Sequence, residues 1–433
     1  MALIALLLLT LNTVVSIYLI FKRRAEFIAY AILFQEIQIL LFNELGWVPF
    51  REIYYLLLIG MYGMVNFSSE YRHTKLTFTL TRWVTLSVII FACVLIYHNA
   101  FVGIPSGQGL EIYERFIFQL IPVLVFITIF LATEKSLMRL GDGVILYGII
   151  FIIAIFIIGD FQNFDTDRDR KLFRDNFGVN PIRITRSSGI VAIISIIYAI
   201  YDPRKNRRLI YVTCAIVALL MTLYAGARGP ILSLIITFSI YYLLASKKST
   251  QFVLNGFVIV AAMTIMYLIL ELGDFGVLGR FERLTDYETM LRYERLVIAF
   301  GMLQSPSVWL EGLGPDGFNN ITGLNYVHNL IIEMVLEYGL LGLVLISIII
   351  GYGLHFSYKL IGGRFPYQYK VFGPVWIYYF LSTMVSSNVI GNRNLFFLTF
   401  ILVSIQYVLR RSGQLTTHNQ IYTNRRVGQV RTQ

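Results

Sequence analysis

Apolar runs of about 18 residues or more recur along the chain, separated by short polar tracts, the pattern of helices that cross a membrane. About thirteen spans are predicted, at 2–21, 26–43, 52–68, 80–98, 115–132, 143–159, 188–202, 209–225, 230–246, 252–271, 329–356, 371–387 and 394–410. The first run, Ala2 to Phe21, has no basic segment before it and no small-residue cleavage site after it, so it reads as a retained helix. Two polar segments exceed a simple turn, 160–187 and 271–327. The longer, on the order of 55 residues, is too long for a bare connection. Within it Leu291, Leu296, Val297, Phe300 and Leu303 have the spacing of a helix lying on or dipping into the membrane surface. No internal repeat stands out. The fold class expected is therefore all-α, a polytopic integral membrane protein forming one domain over 1–410. A polar tail at 411–433 has a composition suited to a disordered cytoplasmic extension.

Composition agrees. Hydrophobic residues make up 57% of the chain and charged residues 14%, too few charges to cover a soluble protein of this length. The formal charge of +11 raises nucleic acid as a partner, but its distribution excludes it. The positive residues sit in short tracts between spans: Lys22 to Arg24, Arg204 to Arg208, Lys247 with Lys248, and Arg410 with Arg411. Placing Lys22 to Arg24 in the cytoplasm puts the amino terminus outside and brings every strong basic tract to the inner side. Both long polar segments then face outward. On this topology eight of nine lysines fall inside, whereas arginine divides 14 inside to 13 outside, so something other than topology retains the outer arginines. A guanidinium is a permanently charged planar fork suited to phosphate. Cys93 and Cys214 each lie inside an apolar run and read as packing residues, with no disulfide framework.

The outer arginines direct the search for chemistry. Arg228 stands in Tyr224-Ala-Gly-Ala-Arg-Gly-Pro230, where small residues permit close approach and Pro230 suits a helix start, an anion-favouring position. An interfacial arginine in a tight turn is the plainer account. The long outer loop adds Arg280, Arg283, Arg292 and Arg295. The last two are three apart, so on a helix they share one face, either to grip a polyanion or simply to meet solvent and headgroups. Trp309 to Phe318 is glycine-rich but lacks nucleotide-binding spacing, and a structural turn explains it better. His328 and Asn329 open the span at 329–356. Of five histidines, His328 alone sits at an outer helix start beside the arginine-rich loop, where it would serve in proton transfer or as a simple end contact. Glu333 and Glu337 lie one turn apart on that span and are expected to hold an arginine. No metal-ligand spacing and no Gly-x-Ser-x-Gly element occurs, so a chemistry free of metal and cofactor is the simplest expectation.

The order of these features resembles the O-antigen ligase and polymerase superfamily. The resemblance runs from about Leu209 to Phe356, through Gly-Ala-Arg-Gly-Pro at a span start, the arginine-bearing outer loop, Glu-Gly-Leu-Gly-Pro-Asp-Gly-Phe, and His328-Asn329 leading into Glu333 and Glu337. It implies an all-helical, GT-C-like membrane glycosyltransferase that takes glycan from an undecaprenyl-pyrophosphate donor at the outer, periplasmic face of the bacterial inner membrane. Arg228 matches the family's short arginine motif and His328 its His-Asn motif. Arg292 and Arg295 both fit the loop arginine, Arg292 with the better distance to Pro306. The resemblance thus makes His328, Arg228 and Arg292 the catalytic candidates. Arg295, Arg283, Arg280 and Asn329 are the substrate-binding candidates. Thirteen spans with an outer amino terminus depart from the family's usual even number with both termini cytoplasmic, a conflict that falls on the first span or one other boundary and makes the expected count 12–13. Implied partners are the lipid-linked glycan, an acceptor glycan or lipid A core, membrane lipids and a chain-length regulator.

Polymerisation of repeat units is the favoured form of the reaction, with ligation onto lipid A core as the alternative. A different class, a lipid-linked oligosaccharide flippase or transporter, predicts midplane charges, broken helices in paired halves and short outer loops.

Overall fold

A computed structural model describes residues 2–22, 24–47, 50–70, 131, 133–158, 180–225, 227–245, 287–324, 326–385 and 392–414. All the regular structure among them is helical. In chain order the helices are α1 (Ala2–Phe21), α2 (Glu26–Leu33), α3 (Gln35–Glu44), α4 (Arg51–Glu70), α5 (Glu134–Ile158), α6 (Pro181–Tyr201), α7 (Lys205–Ala225) and α8 (Arg228–Ala245). They continue with α9 (Tyr287–Met302), α10 (Pro306–Glu311), α11 (Gly317–Thr322), α12 (Leu330–Gly362), α13 (Tyr367–Lys370), α14 (Phe372–Thr383) and α15 (Arg393–Arg411). Among the described residues seven helices, α1, α5, α6, α7, α8, α12 and α15, are long and apolar enough to cross a membrane. Their outward faces are apolar too: Leu3, Leu7, Leu11, Val14 and Tyr18 run down one side of α1, and Leu209 on α7 is 75% exposed. The chain is a multi-pass membrane protein. The spans predicted at 80–98 and 252–271, and nearly all of 115–132, lie outside the described residues.

Several boundaries need correction. The span at 26–43 is two helices, broken at Phe34, whose φ of −121° and ψ of 30° leave the helical region. The Tyr55 hydroxyl donates to the Ala31 carbonyl just before the break at 2.7 Å, and the Tyr30 hydroxyl reaches across it to Gln38 Oε1 at 2.9 Å. α5 starts at Glu134, nine residues before the predicted span at 143–159. α6 starts at Pro181, so Asn-Pro-Ile-Arg-Ile-Thr-Arg belongs to a helix and the predicted loop at 160–187 ends sooner. Asn180 makes that start by accepting from Ile182 N–H at 2.9 Å, with Pro181 in the first turn. The span at 371–387 is the 12-residue α14, preceded by the single turn of α13.

α6 and α7 form an antiparallel pair closed by Asp202. The Asp202 carboxylate accepts from Arg204 backbone N–H at 2.9 Å, from its guanidinium at 2.6 Å and from the Tyr211 hydroxyl at 3.1 Å. Those bonds hold its carboxyl well below the usual carboxylate range, with the Arg204 side chain the largest cause. α8 and α12 both pack on α14, and α14 packs on α6 and α15. The starts of α6, α8, α12 and α15 and the end of α14 therefore meet at one end of the bundle.

α12 is not continuous. Gly339 has φ 60° and ψ −149°, a region that in practice only glycine occupies. The break frees carbonyls inside the helix, and the glycine-rich segment after α10 takes them. Leu313 N–H donates to Leu336 O at 2.7 Å and Gly314 N–H to Glu337 O at 2.9 Å. The backbones approach so closely that a Cβ on Gly312 would strike Glu337 O, and one on Gly339 would strike Leu310 O. Glu-Gly-Leu-Gly-Pro-Asp-Gly-Phe is thus a docking turn fitted to a broken helix.

Candidate functional site

Asn329 caps α12, its side-chain oxygen accepting from Ile331 and Ile332 N–H at 3.1 Å each. His328 precedes the cap at φ 65°, a left-handed conformation uncommon outside glycine. That turn points the imidazole away from the helix and towards α9, where Arg295 Nη1 lies 2.9 Å from His328 Nε2. A guanidinium has only donors, so Nε2 accepts and the imidazole proton sits on Nδ1. Nδ1 is buried with no partner among the described residues. Burial, then the charges of Arg292 and Arg295, push the His328 pKa down to about 3. His328 is therefore a neutral imidazole with its basic nitrogen covered by a cation.

Tyr326 closes the other side, its ring centroid 4.4 Å from that of His328. Its carbonyl lies 3.5 Å from Arg295 Nη1. Burial raises the Tyr326 hydroxyl and Glu333 adds to it, while Arg292, Arg295 and Arg186 pull it back. Four charged groups from three helices thus act on one side chain.

α9 supplies both loop arginines, and they differ. Arg295 is half-buried against His328, whereas Arg292, one turn earlier, is exposed. The predicted apolar stripe on this helix holds only in part. Leu296, Ala299, Met302 and Leu303 pack inward with Phe318, Val327 and Leu336, but Val297 and Phe300 are more than half exposed, in line with Tyr293. Arg280 and Arg283 lie outside the described residues.

The end of α14 joins the remaining groups. Asn329 Nδ2 reaches Met384 O at 3.5 Å. Arg228 is the first residue of α8, and its neighbour Gly229 abuts Val385 with no room for a Cβ. Gly229 and Asn329, the chain neighbours of Arg228 and His328, thus meet the same short segment. Glu337 does not hold an arginine as expected: its Oε1 accepts from Asp316 N–H at 3.1 Å, fastening the docking turn. Glu333 is buried at 2% exposure.

Sequence reasoning missed Arg186. It is 2% exposed on α6 and donates through Nε to Ser382 Oγ at 2.6 Å, through Nη2 to Ser382 O at 2.7 Å and through Nη1 to Asn392 Oδ1 at 3.0 Å. Its guanidinium carbon also lies 5.0 Å from the Tyr379 ring centroid. With every nitrogen engaged, Arg186 ties α6 to the end of α14 and the start of α15. Arg393, also buried, begins α15 beside it. The retention of arginine on the predicted outer side was the one signal that pointed here.

One end of the bundle therefore gathers a neutral histidine, three arginines from two helices and a permanently fixed scaffold arginine. Such a cluster is suited to a polyanion brought next to a proton acceptor. Among the described residues no three His, Cys, Asp or Glu side chains come together as a metal site. No protein-family model matches the chain, and no curated protein matches it at a significant level.

Proposed function

We propose that the chain is a membrane glycosyltransferase that moves glycan from an undecaprenyl-pyrophosphate donor to an acceptor hydroxyl. In this reading it polymerises repeat units of O-antigen, capsule or exopolysaccharide type. The observation that carries the reading is the Arg295–His328 pair: a phosphate-binding fork and a neutral base in direct contact, with the charge of Arg292 also acting on the imidazole and Arg228 opening a helix at the same end of the bundle. The motif order from Arg228 to Glu337 supports the same family.

The basic tracts support an inner-membrane protein of 12–13 spans with this site on the periplasmic side. The helices at 287–322 belong to its long outer loop.

The geometry suggests an order of events. The donor pyrophosphate draws the guanidinium of Arg295 to itself, with Arg228 and Arg292 sharing the charge. His328 Nε2 is uncovered and, beside a polyanion, becomes a stronger base. The acceptor hydroxyl gives its proton to Nε2 as its oxygen attacks the anomeric carbon. The bond from that carbon to the pyrophosphate oxygen breaks, and its electron pair leaves on the pyrophosphate, stabilised by the arginines. Asn329, as the helix cap, positions the imidazole and does not react.

Purified protein in detergent, given undecaprenyl-pyrophosphate-linked repeat units, is expected to produce a ladder of lengthening glycan without further acceptor. Product formed only when lipid A core is added would make it a ligase. No product in either mixture, with folded protein and native repeat unit, would overturn the enzyme reading in favour of transport, which needs two compartments.

A further inference from the structure

The end of the bundle remote from His328 carries a groove of about 730 Å³. α6 sets the separation: Arg186 lies near its start and Asp202 caps its other end, about 24 Å away at the helical rise. The groove opens between the end of α1, the start of α2, and the first halves of α5 and α7. Arg24, Arg139, Arg204 and Arg207 stand at its rim with Glu26 and Asp142. Deeper, about three turns down α5, the lining is aliphatic, with Ile149 and Ile150 facing Ile210 and Cys214 of α7.

The rim is not self-neutralised. Arg204 is committed to Asp202 at 2.6 Å, and Arg24 lies 3.8 Å from Glu26. Arg139 has no carboxylate or hydrogen-bond partner among the described residues, and Arg207, which meets the Tyr211 hydroxyl and shares the field of Asp142, has no carboxylate at ion-pair distance. Lys135, Lys205 and Arg208 are exposed beside them. The slot also opens sideways, through Leu146 and Ile210, which are 38% and 57% exposed, onto the face that meets hydrocarbon. A soluble anion would use the rim but not the slot, and a neutral lipid the slot but not the excess positive charge of Arg139 and Arg207.

We propose that this groove binds an anionic glycerophospholipid, with its phosphate at Arg139 and Arg207 and an acyl chain along Ile149 and Ile150. The lipid would bridge α5 and α7 at this end. This site is independent of the glycan chemistry at His328.

The test is native mass spectrometry of the full chain in detergent, titrated with phosphatidylglycerol and separately with phosphatidylethanolamine. Wild type is expected to retain phosphatidylglycerol at least tenfold more strongly. Arg139→Gln with Arg207→Gln should weaken it by about 25-fold, roughly fivefold per basic residue. Arg410→Gln with Arg411→Gln, which removes the same charge outside the groove, should leave retention unchanged. Leu146→Trp, on a partly exposed surface, should obstruct the slot and reduce retention with all arginines present; it serves as the test if the double variant fails to fold. Equal retention of the two lipids, or retention indifferent to both the rim and slot variants, would overturn the proposal. Competition by millimolar inorganic phosphate as effective as the lipid itself would also overturn it, since it would identify a soluble-anion site.

Discussion

Arg295 Nη1 lies 2.9 Å from His328 Nε2, so the only unprotonated nitrogen of the imidazole faces a cation that cannot give up its charge. A lone histidine at a helix start would titrate near its ordinary value. Here burial and two arginines hold it at about 3, and the residue stays neutral across the physiological range.

This pair makes the pH dependence specific. In free enzyme the base is already deprotonated, so kcat/KM should stay level as pH falls from 8 towards about 5, with no inflection near 6.5. On the proposed reaction, pyrophosphate takes Arg295 and leaves the base stronger, so kcat should fall on the acid side at a higher pH than kcat/KM. Coincident acid limbs would show that Arg295 does not leave His328 on binding. His328→Ala should lower kcat by about 100- to 10,000-fold.

Stability should follow the same group. Its folded value of about 3 lies below the unfolded value near 6.5, so between those limits the unfolded chain binds the proton and the folded chain does not. His328 therefore makes the fold less stable as pH drops from 6.5 towards 3, and above 6.5 it contributes no slope. The slope in that window should shrink in His328→Gln, as read by denaturant midpoints in detergent.

The two loop arginines should separate by substitution. Arg295→Lys removes the planar fork at the histidine and should lower kcat by about 100-fold or more, whereas Arg292→Lys keeps an exposed charge and should act mainly on KM. Steady-state kinetics on the pair decides it, and equal losses in kcat would contradict the geometry.

Arg186 should behave as a scaffold residue. Arg186→Met leaves Ser382 O and Asn392 Oδ1 buried without their donor and should destabilise the protein by about 2–4 kcal/mol. Arg186→Lys should recover only part, because one ammonium cannot serve both partners in the guanidinium's geometry. Thermal unfolding of purified variants measures both.

Gly339→Ala tests the broken helix. The backbone there disfavours any side chain, and a Cβ would strike Leu310 O, so destabilisation of roughly 2–3 kcal/mol is expected. Substitution at Gly351, where nothing stands near an added Cβ, should be nearly silent.

Among the described residues the long spans were legible because each apolar run is bounded by charge, proline or glycine. The predicted limits at 2–21, 209–225 and 394–410 fall within a few residues of α1, α7 and α15. The His-Asn pair was legible as a helix start, since an asparagine before an apolar run is a capping signal. What escaped depends on distant partners. Arg183 and Arg186 look like loop charge in any local window, yet the bonds that bury Arg186 come from residues 196 and 206 positions away. The break at Phe34 has no local proline or glycine, and the hydroxyl that serves the Ala31 carbonyl beside it belongs to Tyr55, 24 residues on from Ala31. Helical spacing put Arg292 and Arg295 on one face but could not rank them. The rank comes from where Tyr326 and His328 return, 31 and 33 residues later.

The break at Gly339 also constrains how a ligand of the proposed kind can reach the arginines. Lifting the turn at Gly312 to Gly314 would leave the carbonyls of Leu336 and Glu337, inside a broken helix, without the N–H donors that now serve them. That turn is a wall, not a lid, and cannot swing aside on each cycle. On the proposed reaction, a lipid donor would therefore reach the arginines past this turn and not by displacing it, and the turn would serve as the fixed frame of the site.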